Sequence, residues 1–159
     1  MNDLLTFVVE AHGGMKRWSR VEAVIVAASI TGEEWRIKGK ADYLEDVIFK
    51  VETKKERLTM DFPGQDKRST FEPNHVETQR RDGTVVSRRD DPEGSFRGQK
   101  PSAPWDDLHV AYFSGEALYT YLNTPFFFTQ DGFSTEEIAR FTMRAPGNHA
   151  PTRRELPES

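Results

Sequence analysis

Two carboxylates and an imidazole stand close together at Asp106, Asp107 and His109. Carboxylate and imidazole groups at this spacing can bind a divalent metal or act as an acid and base pair. A metal site needs three or more converging ligands, however, and aspartates directly before an apolar helix are ordinary caps for its first free N–H groups. We therefore interpret the cluster as a helix start, and we predict no metal, no cofactor and no catalytic residue.

The other residues that carry chemistry form no motif. His12, His75 and His149 fit no metal-ligand spacing, and Gly13-Gly14 lacks the further glycine of a phosphate-binding loop. The chain has no cysteine, which excludes disulfides, thiolate zinc sites and cysteine nucleophiles. Five arginines between residues 80 and 97 alternate with aspartates, as on a solvated hairpin. With a formal net charge of −4, this pattern predicts no nucleic-acid partner.

Apolar residues at spacings of three and four over residues 106–123 predict the central element, a helix that is apolar over most of its circumference. A helix of this kind has to be wrapped by protein on several sides. Asp106 or Asp107 caps its start, and Pro125 forbids its continuation. Its polar residues form one narrow stripe, namely His109, Glu116, Thr120 and Asn123.

The segments before this helix read as strands joined by short turns. Residues 46–53 and 57–62 alternate as half-buried strands do, and residues 21–30 are apolar on both faces, as in a covered strand. Asp82-Gly83 suits a two-residue turn with positive φ at both positions. Shorter strands are predicted over residues 35–38, 68–72, 76–81 and 84–89.

The predicted fold class is α+β, a curled antiparallel β-meander, or half-barrel, packed around a central buried helix. A short N-terminal helix would act as a lid or plug, with five apolar residues on its buried side, namely Leu4, Leu5, Phe7, Val8 and Ala11. Residues 1–144 are predicted to form one domain, with a further helix or strand over residues 138–143. The polar, proline-rich residues 145–159 are predicted to be disordered. The apolar run at residues 4–9 is too short for a signal sequence or a membrane span, so we predict a cytoplasmic protein without stable membrane insertion.

Two patches, AHGGMKRW at residues 11–18 and PWDDLHVAYFSG at residues 104–115, resemble a family of uncharacterised bacterial proteins. The layout is more distantly similar to lipoprotein carriers of the LolA and LppX type, whose curved antiparallel sheet holds helices over a hydrophobic cavity. This resemblance implies a cavity with a diffuse apolar lining. Those carriers are exported and have further strands, so this chain is expected to be either a shortened relative or a homodimer, in which a second copy closes the exposed edge of the sheet.

These observations support three functional hypotheses. The first is a non-enzymatic domain that holds a hydrophobic small molecule or lipid on the concave side of the sheet. The second is an enzyme that uses Asp106, Asp107, His109 and either Tyr112 or Tyr119 as acid and base groups. The third is an interaction module that pairs through its exposed sheet edge. Because tyrosines on an apolar helix commonly equip ligand pockets, the predicted ligand-binding residues are Tyr112, Phe113, Tyr119, Leu122 and Phe127.

Overall fold

A computed structural model describes residues 3–137 of the chain. Six strands form one open antiparallel sheet, and each strand pairs with its neighbours in sequence. Within the described residues, short 3-10 helices follow the sixth strand, at Glu93–Phe96, and the last α-helix, at Phe126–Thr129. The other elements are α1 (Asp3–Ala11), α2 (Gly14–Trp18), β1 (Ala23–Ile30), α3 (Glu33–Ile37), β2 (Leu44–Glu52), β3 (Leu58–Phe62), β4 (Lys67–Glu72), β5 (His75–Gln79), β6 (Val85–Arg89) and α4 (Asp107–Asn123).

The core lies on the concave face of this curled sheet. The predicted alternation is confirmed in β2 and β3, whose inward side chains are fully or almost fully buried. The register sets Phe49 opposite Met60 and Val51 opposite Leu58, so that side chains on one face stack into layers. Together with Phe71 and Val76 they form the floor on which α4 packs.

Helix α4 lies across the floor, mainly over β4 and β5. Gly115 makes the closest approach, because a Cβ atom placed on it would lie 2.1 Å from Cγ of Phe71. Asp106 is the N-cap of α4, as predicted, and its side chain accepts a hydrogen bond from the His109 N–H. The predicted fold class, a helix packed on a curled antiparallel sheet with a short helix at the N-terminus, is confirmed.

The wrapping of α4 is less complete than its sequence predicts. The side chains of Phe113 and Tyr121 are 42% and 72% exposed. His109 and Asn123, two residues of the predicted polar stripe, are buried instead. Hydrogen bonds compensate for this burial, since Asn123 Nδ2 donates to the carbonyl oxygen of Tyr119 at 2.8 Å. Apolar periodicity therefore located the helix correctly but misassigned part of its circumference.

Two local predictions are wrong. The sequence predicts a strand over residues 35–38, but these residues belong to α3 and the residue after it, with Glu33 and Glu34 in the first turn and Arg36 paired to Glu33. These charges suit a helix start, which outweighs the short alternation of Trp35 and Ile37 with basic residues. The turn after β5 has positive φ at Gly83 alone. It is a three-residue loop closed by the Gly83 N–H donating to the Arg80 carbonyl at 3.0 Å, rather than a two-residue turn.

Strand β1 is an edge strand covered on one face only, so the prediction of a strand covered on both faces is wrong. Ile25, on the convex face, is 70% exposed. Val24 and Val26, on the concave face, are half-buried. β1 lies at the edge, farthest from β4 and β5 where α4 packs, and its apolar residues are consequently less covered than those of β2 to β5.

The N-terminal helices form a second, smaller cluster. Leu5 and Val9 of α1 pack with Phe126, whose ring stacks on Trp18 at 4.2 Å between centroids. Leu4, Phe7 and Ala11, expected on the buried side of α1, are exposed. No helix in residues 3–137 is long and apolar enough to cross a membrane. The element predicted over residues 138–143 and the disorder predicted for residues 145–159 lie outside the described residues.

Candidate functional site

The first candidate surrounds the start of α4. Asp106 Oδ2 accepts a hydrogen bond from Arg89 at 2.6 Å, and its Oδ1 accepts one from the His109 N–H at 2.8 Å. His109 Nδ1 in turn accepts from the Asp106 N–H at 3.2 Å, and its Nε2 lies 2.8 Å from the side chain of Gln99. Both ring nitrogens of His109 are thus engaged inside the protein. This arrangement is a capping box, the structural role that its sequence favoured.

Asp107 lies beside two ammonium groups. Its carboxylate is 2.6 Å from Lys40 Nζ and 3.5 Å from Lys67 Nζ. Both ammonium groups also lie over the ring of Tyr43, at 4.7 Å for Lys40 and 4.0 Å for Lys67, which is cation–π distance. The Tyr43 hydroxyl is buried, and burial together with the charge of Asp107 raises its pKa strongly. A phenol held neutral in this way is not a base at neutral pH.

The pKa values of both aspartates are held low. For Asp107, burial acts to raise the pKa, but the hydrogen bond from Lys40 and the charges of Lys67 and Lys40 outweigh it. For Asp106, burial is likewise outweighed by the hydrogen bonds from Arg89 and from the His109 backbone. General acid catalysis near neutral pH needs a carboxyl group with a raised pKa. These two aspartates are ionised and paired, which is the condition of structural groups.

A cavity of about 470 Å³ opens beside this ion cluster. Its walls are formed by the start of α4, the loop before β2, the β3–β4 turn, and strands β5 and β6. Neither His109 nor the tyrosines of the enzyme hypothesis line it, since Tyr112 packs on Phe71 and Phe96, where burial raises its pKa to about 12. The lining residues are Lys40, Asp66, Lys67, Thr78, Arg80, Val86, Ser87, Asp106, Asp107 and Leu108.

Replacing Asp107 with asparagine is expected to lower the free energy of unfolding at pH 7 by about 1 kcal/mol, a modest value because the carboxylate is partly exposed. Because the pKa of Asp107 is lowered in the folded state, the group contributes stability above its pKa in the unfolded chain, which is about 4. This stability is lost as the pH falls through the pKa of the folded state. Urea unfolding at pH 7 and at pH 3 should therefore show a smaller loss on acidification for Asp107→Asn than for the wild type. Asp42→Asn, at an exposed carboxyl, is the control. Equal acid sensitivity of Asp107→Asn and the wild type would contradict this role.

The five predicted ligand-binding residues do not converge on one cavity. Tyr119 and Phe127 are brought together, with ring centroids 5.5 Å apart. Phe113 instead packs on Trp35 and Trp105, on another side of the helix. Leu122 is half-buried and packs against the main core. None of the five lines the cavity beside Asp107 or the groove described next.

The second candidate is an apolar groove of about 360 Å³ between α1 and the segment that follows α4, which we call the α1 groove. Its surface is almost entirely apolar, and Leu4 and Phe128 on its walls are 52% and 43% exposed. A neighbouring cavity of about 420 Å³ shares Leu5, Phe128 and Thr135 with it. The lining residues of the α1 groove are Leu4, Leu5, Val8, Thr124, Pro125, Phe128, Thr135 and Glu136.

The α1 groove was missed at the level of sequence because its two walls are more than a hundred residues apart in the chain. One signal was present, since α1 carries more apolar residues than its buried face accommodates.

Comparison with models of protein families, with curated proteins and with solved structures finds no match. The resemblance to lipoprotein carriers therefore stays a prediction.

Proposed function

We propose that the chain is a non-enzymatic binding domain that holds an apolar, lipid-like ligand. The observation that carries the proposal is the α1 groove, whose volume of about 360 Å³ and apolar lining are typical of small-molecule sites. Apolar side chains stay exposed on both walls, Leu4 on α1 and Phe128 opposite. A ligand that covers them lowers the free energy of the complex, because it removes apolar surface from water. The proposal keeps the ligand class predicted from the sequence and moves the site from the middle of α4 to its C-terminal end.

The rim of the groove narrows the class of ligand. Glu136 lines it, and Asp131 lines the neighbouring cavity, while no lysine or arginine among residues 3–137 lines either cavity. An acidic rim disfavours a carboxylate or phosphate at the mouth. The preferred ligand is therefore an amphiphile whose acyl chain fills the groove and whose head group is uncharged or cationic.

Titration with an uncharged NBD-labelled monoacylglycerol tests the proposal, because NBD fluorescence rises in apolar surroundings. We expect saturable binding by the wild type. Leu4→Arg and Phe128→Asp each put a charge on one wall, and each should weaken binding at least about tenfold, equivalent to about 1.4 kcal/mol. Both residues are partly exposed, so the fold should tolerate the changes.

Val86→Arg is the matched control, because Val86 is 62% exposed on β6 and does not line the α1 groove. It should bind the probe as the wild type does. An NBD-labelled fatty acid, which carries a carboxylate, should bind more weakly than the monoacylglycerol. Absence of saturable binding, or equal weakening by Val86→Arg, would overturn the proposal.

A further inference from the structure

Among residues 3–137, strand β1 is an edge of the sheet that lacks the usual protection against pairing. It has eight residues, AVIVAASI, and none of them is charged or proline. Natural edge strands are usually kept from pairing by charges, by proline or by being short. The opposite edge meets this rule, because β6 has five residues and ends in Arg88 and Arg89. Within residues 3–137, β1 pairs with β2 only.

The backbone groups that β1 presents outward can be identified from its register. The Thr53 N–H donates to the Glu22 carbonyl at 3.0 Å, and the same register continues through Val24 opposite Val51 and Val26 opposite Phe49. Hydrogen bonding alternates along an antiparallel pair. Val24 and Val26 therefore direct their N–H and C=O groups toward β2. Ile25 and Ala27 direct theirs away from the sheet.

We propose that two copies of this chain pair β1 with β1, antiparallel across a two-fold axis, to form one sheet of twelve strands, six from each copy. The inference does not depend on the proposed ligand. Directly opposite residues in antiparallel strands point to the same face, so the axis must pass through a residue position. With the axis at Val26, Ile25 lies opposite Ala27 of the second copy, and Val24 lies opposite Ala28 of the second copy.

This pairing makes the strand complementary to itself. A large side chain meets a small one on both faces, and no charges are brought opposite each other. The outward N–H and C=O groups of Ile25 and Ala27 gain hydrogen-bond partners. The half-buried side chains on the concave face of β1 in the two copies then form one continuous apolar surface. A second copy fits this edge particularly well, because a two-fold interface needs one surface that matches itself.

Cysteine cross-linking tests the pairing directly, since the chain has no cysteine of its own. In the proposed register the two Val26 residues form a non-hydrogen-bonded pair with Cα atoms about 4.5 Å apart, within the roughly 4.4–6.8 Å that a disulfide spans. Val26→Cys should therefore form a disulfide-linked dimer under mild oxidation. Val86→Cys, on the other edge strand and 62% exposed, should stay monomeric on a non-reducing gel.

Sedimentation equilibrium of the full chain gives the second measurement. We expect a mass twice 18.2 kDa for the wild type and a single 18.2 kDa chain for Ala27→Pro. Proline at this position removes an outward N–H and leaves the pairing with β2 intact, so circular dichroism should be unchanged. A monomeric wild type at the highest concentration reached, or cross-linking of Val86→Cys as efficient as that of Val26→Cys, would overturn the proposal.

Discussion

Replacing Gly115 with alanine is expected to lower the free energy of unfolding by about 2–3 kcal/mol, which corresponds to a fall in Tm of roughly 5–10 °C. The new Cβ would lie 2.1 Å from Cγ of Phe71, far inside van der Waals contact. Phe71 is fully buried in the core, so its ring cannot move aside without disturbing its neighbours. Thermal and urea unfolding followed by circular dichroism measure the effect.

The sign of this change makes it a strict test. Glycine to alanine in an exposed helix stabilises by about 1 kcal/mol through helix propensity. Thr120→Ala, at an exposed position of the same helix, should accordingly be neutral or slightly stabilising. Phe71→Leu should recover part of the loss in the Gly115→Ala background, because it removes the ring that the Cβ meets. A more stable Gly115→Ala protein would mean that α4 does not lie this close to β4.

Replacing Phe126 with alanine is expected to release α1 and α2 from the rest of the protein. Phe126 is almost fully buried, stacks on Trp18 and packs with Leu5 and Val9 in a cluster separate from the main core. Removing its ring lowers the stability of this cluster by about 3 kcal/mol, the low end of the range for replacing a buried phenylalanine with alanine. Amide hydrogens of α1 should then exchange about 100-fold faster, while those of β2 and β3 change little.

Phe128→Ala provides the comparison for hydrogen exchange, because Phe128 is in the same 3-10 helix but 43% exposed. It should leave the exchange of α1 nearly unchanged. The Phe126→Ala protein should also lose binding of the monoacylglycerol, since α1 forms one wall of the α1 groove. Equal acceleration of exchange in α1 and β3 would show that the two clusters unfold together, contrary to this prediction.

Local chemistry explains the predictions that succeeded. Val47, Phe49 and Val51 alternate with Ile48, Lys50 and Glu52, and the charges of Lys50 and Glu52 leave only one strand face that can be buried. Asp106 before an apolar helix and Pro125 after it set the ends of α4 within a residue of their predicted positions. Such signals act between residues a few positions apart, so they do not depend on the contacts made by the rest of the chain.

Other features depended on which segments meet in space. The exposure of Ile25 follows from the position of β1 at the sheet edge, and no residue of β1 encodes that position. The burial of His109 follows from its partners, Asp106 and Gln99, rather than from its polarity. Short segments such as α3 are ambiguous because five residues hold too few periods to separate a helix from a strand.

The order of residues alone thus specified a meander, the helix laid across it and the absence of any cysteine chemistry, because periodicity, caps and composition are local properties. Only the folded chain decided where an apolar ligand could enter. The α1 groove joins Leu4 and Leu5 to Pro125 and Phe128, and contacts over such a separation arise from packing, which no short-range pattern records.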